Sequence, residues 1–405
     1  SSRAWFSLGR IREETADLAG AVQAYRESVE AAISGYEQSP GSAPNLLPAY
    51  ERLWALSWQD LPADALEARL IELTESVPRS WVAWHFLGRA RQNAGDVEGA
   101  FNAYCEALEL APENPQVHER LAGLLAHNVS GQARERYWEQ VVQVAPASSR
   151  AWFSLGRIRE ETADLAGAVE AYRRSIVLSP QTFLPHERMQ RVLSKKFSAE
   201  ERRAVWAECA EAAPASRYAR HYLERAQAQI LVAKGDTAGA IKALRRAVNF
   251  SYEPFSAYQE LYELLAQDLP VEAQEDTWRA ILEAAPESAH AWFYLGLVLQ
   301  QQKRIDDAIN AYRKAAALEP AGWYTHRFLG LLLVRRGDFE AALEPLRTAL
   351  GAHPEFDEAR LALLEALVRL GRHSAAQQQL LECRKRDITI PDELAGAATS
   401  EGETR

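Results

Sequence analysis

Residues 81–112 read WVAWHFLGRARQNAGDVEGAFNAYCEALELAP. Apolar side chains recur on both sides of Gly95 and Asp96 at the spacing of two amphipathic helices. Glycine commonly ends a helix, and aspartate commonly caps the start of the next one. Pro112 cannot continue a helical hydrogen-bond ladder. The stretch therefore predicts a helix, a tight turn and a second helix that stops before Pro112.

The same pattern recurs along the chain with a period of 34 residues. Its clearest markers are prolines at this spacing, namely Pro78, Pro112, Pro146, Pro180 and Pro214, and then Pro286, Pro320 and Pro354. A fixed period of roughly 20–50 residues is typical of stacked repeats. Because one helix pair buries too little apolar surface to be stable alone, neighbouring pairs must share a continuous core.

A longer motif precedes each marker proline. In the quoted stretch it consists of Trp84, Leu87, Gly88, Ala100 and Tyr104. This order of W-x2-L-G, A-x3-Y and P returns around Trp152 and Trp292, and it resembles the tetratricopeptide repeat family over nearly the whole chain. The resemblance implies an all-α fold, a right-handed superhelical solenoid of antiparallel helix pairs. It also implies that the first helix of each repeat lines a groove for partner proteins.

Eleven repeats account for residues 1–390. Their approximate bounds are 2–35, 47–80, 81–114, 115–148, 149–182, 183–216, 221–254, 255–288, 289–322, 323–356 and 357–390. The segment 36–46 is rich in Ser, Gly and Pro, which predicts an exposed loop insertion. A second slip falls near 217–220. The polar residues 391–405 are expected to form a flexible tail. Residues 2–26 match residues 149–173 except for Gln23 against Glu170, as a recent duplication would produce.

Tryptophan alternates between the helices of successive repeats. Some repeats have it in the first helix, as at Trp152, and others in the second helix, as at Trp138 and Trp278. We expect Trp152 to be a core residue whose replacement by alanine is costly. His118, His186 and His326 stand where a first-helix tryptophan would be, and we interpret them as packing residues of exchanged volume rather than metal ligands.

Composition excludes several classes of protein. The net charge of −10 argues against a broad nucleic-acid surface. The sequence contains no apolar run long enough to span a membrane.

The three cysteines are widely separated and form no zinc-binding pair, so we expect buried, inert thiols. Neither a nucleotide-binding motif nor a hydrolase motif is present. We therefore expect a non-enzymatic protein without cofactor or metal. A cytoplasmic location is expected, with a periplasmic or secreted one left open.

The resemblance also assigns candidate partner-binding residues, which lie at the groove positions of the family. The ninth position of a repeat holds Arg10, Arg89, Arg157 or Arg191, and the thirteenth holds Asn93. The remaining candidates are Arg150, Phe153, Phe293 and Arg327.

Two interpretations of the arginines remain open. In one, they hold an anionic partner segment, because the planar guanidinium matches a carboxylate in a bidentate manner. In the other, they pair with Glu51, Glu119 and Glu187 of neighbouring repeats, and such exposed pairs contribute only about 0–1 kcal/mol each.

The sequence thus predicts a non-catalytic scaffold or adaptor that binds a protein or peptide, with an acidic segment as the favoured ligand. Two alternatives stay open at this point. One is the substrate-recruiting arm of a larger enzyme, and the other is a structural component that self-assembles through its end repeats.

Overall fold

A computed structural model describes residues 1–38, 46–56, 62–250 and 255–399. In these ranges the chain forms 23 α-helices and no strand, which confirms the all-α prediction. The helices divide into two compact units. The first comprises Ser1–Ser198 with Glu208–Ala219, and the second comprises Ala199–Ala207 with Arg220–Arg405.

The helices follow one another with short connections. The first eleven are α1 (Ser2–Glu14), α2 (Leu18–Gln38), α3 (Leu47–Leu56), α4 (Ala63–Ser76), α5 (Trp81–Asn93), α6 (Val97–Leu110), α7 (Pro115–Asn128), α8 (Gly131–Val144), α9 (Ser149–Glu161), α10 (Leu165–Leu178) and α11 (Phe183–Lys196). The next six are α12 (Ala199–Ala212), α13 (Arg217–Ala233), α14 (Thr237–Phe250), α15 (Phe255–Asp268), α16 (Val271–Ala284) and α17 (Ala289–Gln301). The last six are α18 (Ile305–Leu318), α19 (Trp323–Arg336), α20 (Phe339–Ala352), α21 (Asp357–Arg369), α22 (His373–Lys385) and α23 (Asp392–Thr399).

The turn between α5 and α6 shows why the helices pair. Gly95 has φ +81°, a left-handed conformation that glycine adopts without a Cβ clash. Asp96 then caps α6, because its Oδ1 accepts a hydrogen bond from the Gly99 N–H at 2.9 Å. The turn chemistry expected from the sequence is therefore confirmed here.

Two kinds of helix pair occur. In pairs such as α5/α6, α9/α10 and α17/α18 the backbones run close together. These pairs have glycine on the first helix opposite tyrosine on the second, as in Gly296 and Tyr312. In α7/α8 and α15/α16 the backbones approach each other at few positions. The second helix of these wider pairs carries a fully buried tryptophan, Trp138 or Trp278.

We expect Gly296→Ala to destabilise the protein by about 1–3 kcal/mol, although alanine is favoured over glycine in a helix by about 1 kcal/mol. A Cβ at this position would lie 2.5 Å from Cε1 of Tyr312, which is fully buried. The Tyr312 hydroxyl also donates to Gln300 Oε1 at 3.1 Å, so the ring has little freedom to move.

Gly123→Ala is the matched control for this prediction. Gly123 lies within α7, and an added Cβ would meet nothing within 4 Å. We expect this variant to have a free energy of unfolding, measured in urea, that is higher by up to about 1 kcal/mol. Equal effects of the two substitutions would show that the close approach of Gly296 to Tyr312 does not prevent the addition of a Cβ at position 296.

Trp152 packs against a core cluster but is not fully buried, so the expectation that it is a core residue is met only in part. Trp152 is only partly buried, and its Nε1–H donates to the carbonyl of Pro146 at 3.0 Å. His118 Nε2 makes the equivalent contact with the carbonyl of Pro112 at 2.7 Å. His186, at the same position of another repeat, instead contacts the carbonyl of Thr182 and the hydroxyl of Ser216. The side chain at this position is therefore hydrogen-bonded, but not always to the preceding proline.

Helices extend into parts of the expected loop and tail, while residues 400–405 of the tail lie outside the described residues. Residues 36–38 continue α2, and residues 39–45 lie outside the described residues. The slip near 217–220 is absorbed by α13, which has 17 residues. Residues 392–399 form α23 instead of a flexible tail, because Ala398 is buried and Leu394 packs against the core of the second compact unit. The division into eleven repeats remains a prediction.

Candidate protein-binding site

Three of the predicted arginines make only exposed ion pairs. Within α1 and α9, Arg10 lies 3.6 Å from Glu14, and Arg157 lies 3.8 Å from Glu161. Arg150 lies 3.6 Å from Glu113. Exposed pairs of this kind contribute little to stability, so a ligand could displace them at small cost.

Arg191 is held by a carboxylate that sequence reasoning did not select. Its Nη2 lies 3.3 Å from Glu160, which also accepts a hydrogen bond from the Tyr172 hydroxyl at 3.0 Å. Arg188 and Lys195 approach the same carboxylate at 3.6 and 3.7 Å. The charge on Arg191 is thus compensated within the chain.

Glu160 is the twelfth residue of its repeat, and the same residue of repeat one has the same role. Glu13 accepts hydrogen bonds from the Tyr25 hydroxyl at 2.9 Å and from Arg52 Nε at 3.0 Å. Arg52 and Arg188 are each the sixth residue of the following repeat. At both places a buried tyrosine and an arginine of the next repeat therefore share one glutamate.

At repeat three an amide replaces this glutamate. The Tyr104 hydroxyl donates to Oε1 of Gln92 at 2.8 Å. Arg120 is the sixth residue of the following repeat, so Arg120 corresponds to Arg52 and Arg188. Among the residues that the structure describes, no carboxylate lies within 4.0 Å of Arg120 or of Arg89. A neutral amide therefore stands where the equivalent repeats have a carboxylate, while both arginines are kept.

Arg89 is held in place by aromatic rings rather than by a counter-ion. Its guanidinium carbon lies 4.1 Å from the ring centre of Trp54 and 5.1 Å from that of Phe86. Burial, assisted by the positive charge of Arg120, lowers the pKa of Arg89 to about 10. The side chain is consequently preorganised, and its charge is partly desolvated.

His85 completes this cluster, whose five residues we call the Arg89 site: Arg89, Arg120, His85, Gln92 and Tyr104. Burial lowers the pKa of His85 to about 3, with smaller contributions from the charges of Arg89 and Arg120. The imidazole is therefore neutral at physiological pH, and the two guanidinium groups are the charged groups of the site. Asn93 is exposed at the last position of the same helix, α5.

The remaining candidates differ in their surroundings. Phe293 is only 3% exposed, so its predicted role as a groove contact is wrong. It is enclosed by the rings of Tyr324 at 4.9 Å and Phe328 at 5.4 Å. Phe153 is half-buried, and its ring centre lies 5.8 Å from that of Tyr172. Arg327 lies over the ring of Phe356 at 5.0 Å and is paired with Glu358 at 3.0 Å.

Comparison with known families agrees with the helix-pair architecture. Models of the tetratricopeptide repeat match residues 2–32, 82–114, 123–181, 289–321 and 333–387. These segments together cover just over half of the chain. The chain belongs to the tetratricopeptide repeat family.

Two curated relatives are similar to parts of this tetratricopeptide repeat protein. Superkiller protein 3 of Schizosaccharomyces pombe is 27% identical over 95 residues, which are 24% of this chain and 7% of that protein. BBSome complex member bbs-4 of Caenorhabditis elegans is 31% identical over 108 residues, which are 26% of this chain and 23% of that protein. The similarity thus spans less than a quarter of either relative.

Solved structures of repeat proteins are also similar to this chain. A structure of MamA (AMB-1) is 22% identical, covers 44% of this chain and 96% of its own, and has a TM-score of 0.33. Yeast Tom70 is 14% identical, covers 98% of this chain and 94% of its own, and has a TM-score of 0.39. At these TM-scores the superpositions carry no conclusion beyond the likeness itself.

In the described part of this repeat protein, no helix combines the length and apolar character needed to cross a lipid bilayer. No group of three or more His, Cys, Asp or Glu side chains is arranged to hold a metal ion in the same ranges. Cys105, Cys209 and Cys383 are buried, as expected, and burial raises the pKa of Cys105 and Cys209 to about 12.

Sequence reasoning missed Arg120 and Gln92. A signal was available, because Arg52, Arg120 and Arg188 recur every 68 residues. The twelfth residues of the matching tetratricopeptide repeats are Glu13, Gln92 and Glu160. An alignment of the repeats with one another shows the exchange from glutamate to glutamine, whereas a reading of each repeat alone does not.

Proposed function

We propose that this protein is a non-catalytic scaffold that binds an acidic segment of a protein partner, and that Arg89 and Arg120 hold a carboxylate of that segment. One observation carries the proposal: Gln92 stands where repeats one and five have Glu13 and Glu160, although the next repeat still supplies an arginine, Arg120. Repeat nine also has a glutamine there, Gln300, but its next repeat has Phe328 in place of the arginine. In repeats one and five the glutamate is paired with an arginine of the next repeat. A carboxylate supplied by a partner would restore that pairing at the Arg89 site.

The geometry favours an anion over a neutral ligand. Arg89 is already fixed over Trp54, so little side-chain entropy is lost when its fork binds a carboxylate. Hydrogen bonds to charged groups contribute about 1.5–3 kcal/mol, which exceeds the contribution of an exposed surface pair. We therefore expect the Arg89 site to contribute more to partner binding than Arg10 or Arg157, which pair within their own helices.

The test compares an Asp- and Glu-rich extended peptide with its Asn and Gln counterpart by fluorescence anisotropy. We expect the acidic peptide to bind and the neutral one to bind weakly. Arg120→Gln should weaken binding of the acidic peptide by about tenfold or more, the equivalent of about 1.5 kcal/mol. Arg120 is exposed, so this substitution should leave the fold intact.

Arg89→Gln is the second variant, and Arg157→Gln is the matched control because it changes the same position of another repeat. We expect Arg89→Gln to lose about as much affinity for the acidic peptide as Arg120→Gln does. Arg157→Gln should change this affinity little. Equal affinity of the wild type and both site variants for the acidic peptide would overturn the proposal. Equal affinity for the acidic and neutral peptides would do the same.

A further inference from the structure

A cavity of about 220 Å³ lies between α9, α10 and α11 in the first compact unit, and we call it the Phe153 cavity. Phe153, Leu184 and Pro185 form its apolar wall, and Ser179 and Thr182 are among its polar lining residues. Phe153 is half-buried and Leu184 is 45% exposed, so the cavity is open to solvent. A cavity of about 150 Å³ is large enough for a benzene ring. The Phe153 cavity can therefore hold one aromatic side chain.

The equivalent space next to repeat nine is filled by a tyrosine of the chain itself. The second residue of repeat six is Leu184, whereas the second residue of repeat ten is Tyr324. The ring centre of Tyr324 lies 4.9 Å from that of Phe293, which corresponds to Phe153. Tyr324 is 8% exposed and Phe293 is 3% exposed. The cavity thus exists because repeat six has a smaller side chain where repeat ten has a ring.

Repeat three also has a ring at this place, from a different position. Trp81 is its first residue, and the ring centre of Trp81 lies 6.1 Å from that of His85. His85 corresponds to Phe153 and is 4% exposed. The first residue of repeat five is Ser149. Repeat five therefore has a serine and a leucine at the two positions that supply this ring in repeats three and nine.

The hydroxyl group of the tyrosine next to repeat nine has a partner of its own. Tyr324 donates a hydrogen bond to the carboxylate of Glu319, the thirty-first residue of that repeat. The thirty-first residue of repeat five is Ser179, and its hydroxyl lies 2.7 Å from that of Thr182. Because a hydroxyl group both donates and accepts, this pair can bind a phenol hydroxyl.

Arg150 supplies a positive charge at the edge of the cavity. Its counterpart in repeat nine is His290, whose ring centre lies 5.7 Å from that of Tyr324. Arg150 lies 3.6 Å from Glu113, which is longer than a hydrogen bond, and Glu113 already accepts the backbone N–H of Ser149. A guanidinium group is attracted to the negative face of an aromatic ring. The charge of Arg150 therefore favours an aromatic occupant over an aliphatic one.

We infer that the Phe153 cavity binds a tyrosine side chain of a partner protein. The tyrosine ring lies against Phe153 as Tyr324 lies against Phe293, with its face towards Arg150 and its hydroxyl at Ser179. The volume accommodates one ring, so the polypeptide that carries the tyrosine lies outside the cavity. This inference shares with the proposed function only that the partner is a protein, and it does not depend on the Arg89 site.

The first test uses p-cresol, which has the structure of a tyrosine side chain, as the probe. Saturation-transfer NMR with the full chain measures its affinity and that of toluene, which lacks the hydroxyl. We expect p-cresol to bind saturably and toluene to bind about threefold more weakly, because it forms no hydrogen bond. Ser179→Ala should reduce this difference.

Two variants place the probe in the cavity. Leu184→Tyr introduces the residue that repeat ten has at this position, and it should abolish the binding of p-cresol. Leu178→Tyr is its matched control, because Leu178 is also exposed and does not line the cavity. Arg150→Gln should weaken binding about threefold. Arg157→Gln, on the same helix, should leave it unchanged. Circular dichroism checks that each variant is folded.

The second test distinguishes a tyrosine of a protein segment from a free phenol. A display library of random peptides is selected on the full chain, and bound peptides are eluted with p-cresol. We expect tyrosine to be enriched at one position of the peptides, and this enrichment to be lost on Leu184→Tyr. Selection on Arg89→Gln should give the same enrichment as the wild type, which separates this inference from the proposed function.

Three results would overturn the inference. The first is binding of p-cresol that Leu184→Tyr leaves unchanged, or no binding at all. The second is a wild-type selection without enrichment of tyrosine, which would restrict the cavity to small molecules. The third is a dimer, detected by light scattering of the chain alone, that Leu184→Tyr dissociates, because the tyrosine would then belong to a second copy.

Discussion

Trp278→Ala is expected to lower the free energy of unfolding of the second compact unit by about 3–5 kcal/mol. Trp278 is fully buried, and its indole packs nearly parallel to the rings of two tyrosines, whose own ring centres lie 6.4 Å apart. The ring centres of Tyr258 and Tyr294 lie 6.3 and 5.2 Å away, with planes inclined by 16° and 14°. Truncation therefore removes a large apolar side chain and leaves a cavity beside two tyrosine rings that pack against each other.

Trp292→Ala is the control, since it is the same substitution in the same compact unit. Trp292 is only partly buried, and its Nε1–H donates to the carbonyl of Pro286 at 2.9 Å. We expect a smaller loss of about 1–2 kcal/mol, from one hydrogen bond, partial packing against the core and the contact of Lys314 with the ring. Urea unfolding followed by circular dichroism and by tryptophan fluorescence measures both variants. Losses of equal size would contradict the distinction between the buried Trp278 and the partly exposed Trp292.

Acid is expected to destabilise the folded protein before its carboxylates titrate. Burial lowers the pKa of His221 to about 4, well below the value of about 6.5 in an unfolded chain. The unfolded state therefore binds more protons between these pH values. Stability is full above about pH 6.5 and falls as the pH decreases towards about 4, by on the order of 3 kcal/mol for this residue. Below that range His221 contributes no further loss.

The surroundings of His221 explain why its pKa is lowered. Its Nδ1 is hydrogen-bonded to the carbonyl of Ala247 at 3.0 Å, whereas its Nε2 has no hydrogen-bond partner among the described residues. A proton on both nitrogens would place a charge in the core next to Arg225, whose charge also lowers the pKa. His186 behaves similarly in the first compact unit, since burial lowers its pKa to about 4.

Two measurements check this prediction. Urea unfolding between about pH 7 and 5 should show a decreasing free energy of unfolding in the wild type, and His221→Gln should reduce the slope. That range lies above the ordinary pKa of carboxylates, about 4, so histidines dominate it. In NMR titration, His221 should remain neutral at about pH 5. A flat stability profile, or a His221 resonance that titrates near its ordinary pKa, would contradict the prediction.

The local features of the fold were predictable because short stretches of sequence encode them. The helix pair of residues 81–112, its turn at Gly95 and its cap at Asp96 are found where the pattern indicates. Helical periodicity and capping depend on residues a few positions apart. The repeat period then multiplies one such prediction along the chain, which is why the fold class and the family followed from the sequence.

The burial of particular residues was less predictable. Phe293 and Phe153 occupy the same position in two repeats, yet the former is in the core and the latter is half-buried. Trp152 was expected in the core, but its side chain is only partly buried. Periodicity shows that a residue faces a neighbouring helix, but it does not show how many helices enclose it.

The Arg89 site was also only partly predictable from the sequence. Repeat positions alone suggested Arg89, whereas its significance depends on Arg120 from the next repeat and on the amide of Gln92. Arg10 and Arg157 share its repeat position, but each pairs within its own helix. Charge compensation is a property of groups brought together across repeats, so no single repeat contains it.

The duplicated segment shows most clearly what the sequence determines and what the tertiary structure determines. The sequence by itself determined that residues 2–26 and 149–173 each form a helix, a turn and the start of a second helix. Only the tertiary structure decided that Ile158 is buried beneath α8 and that Ile11 is exposed. Secondary structure is set by interactions within each segment, whereas exposure and ion pairing are set by the helix that packs on it, and that helix differs between the two places.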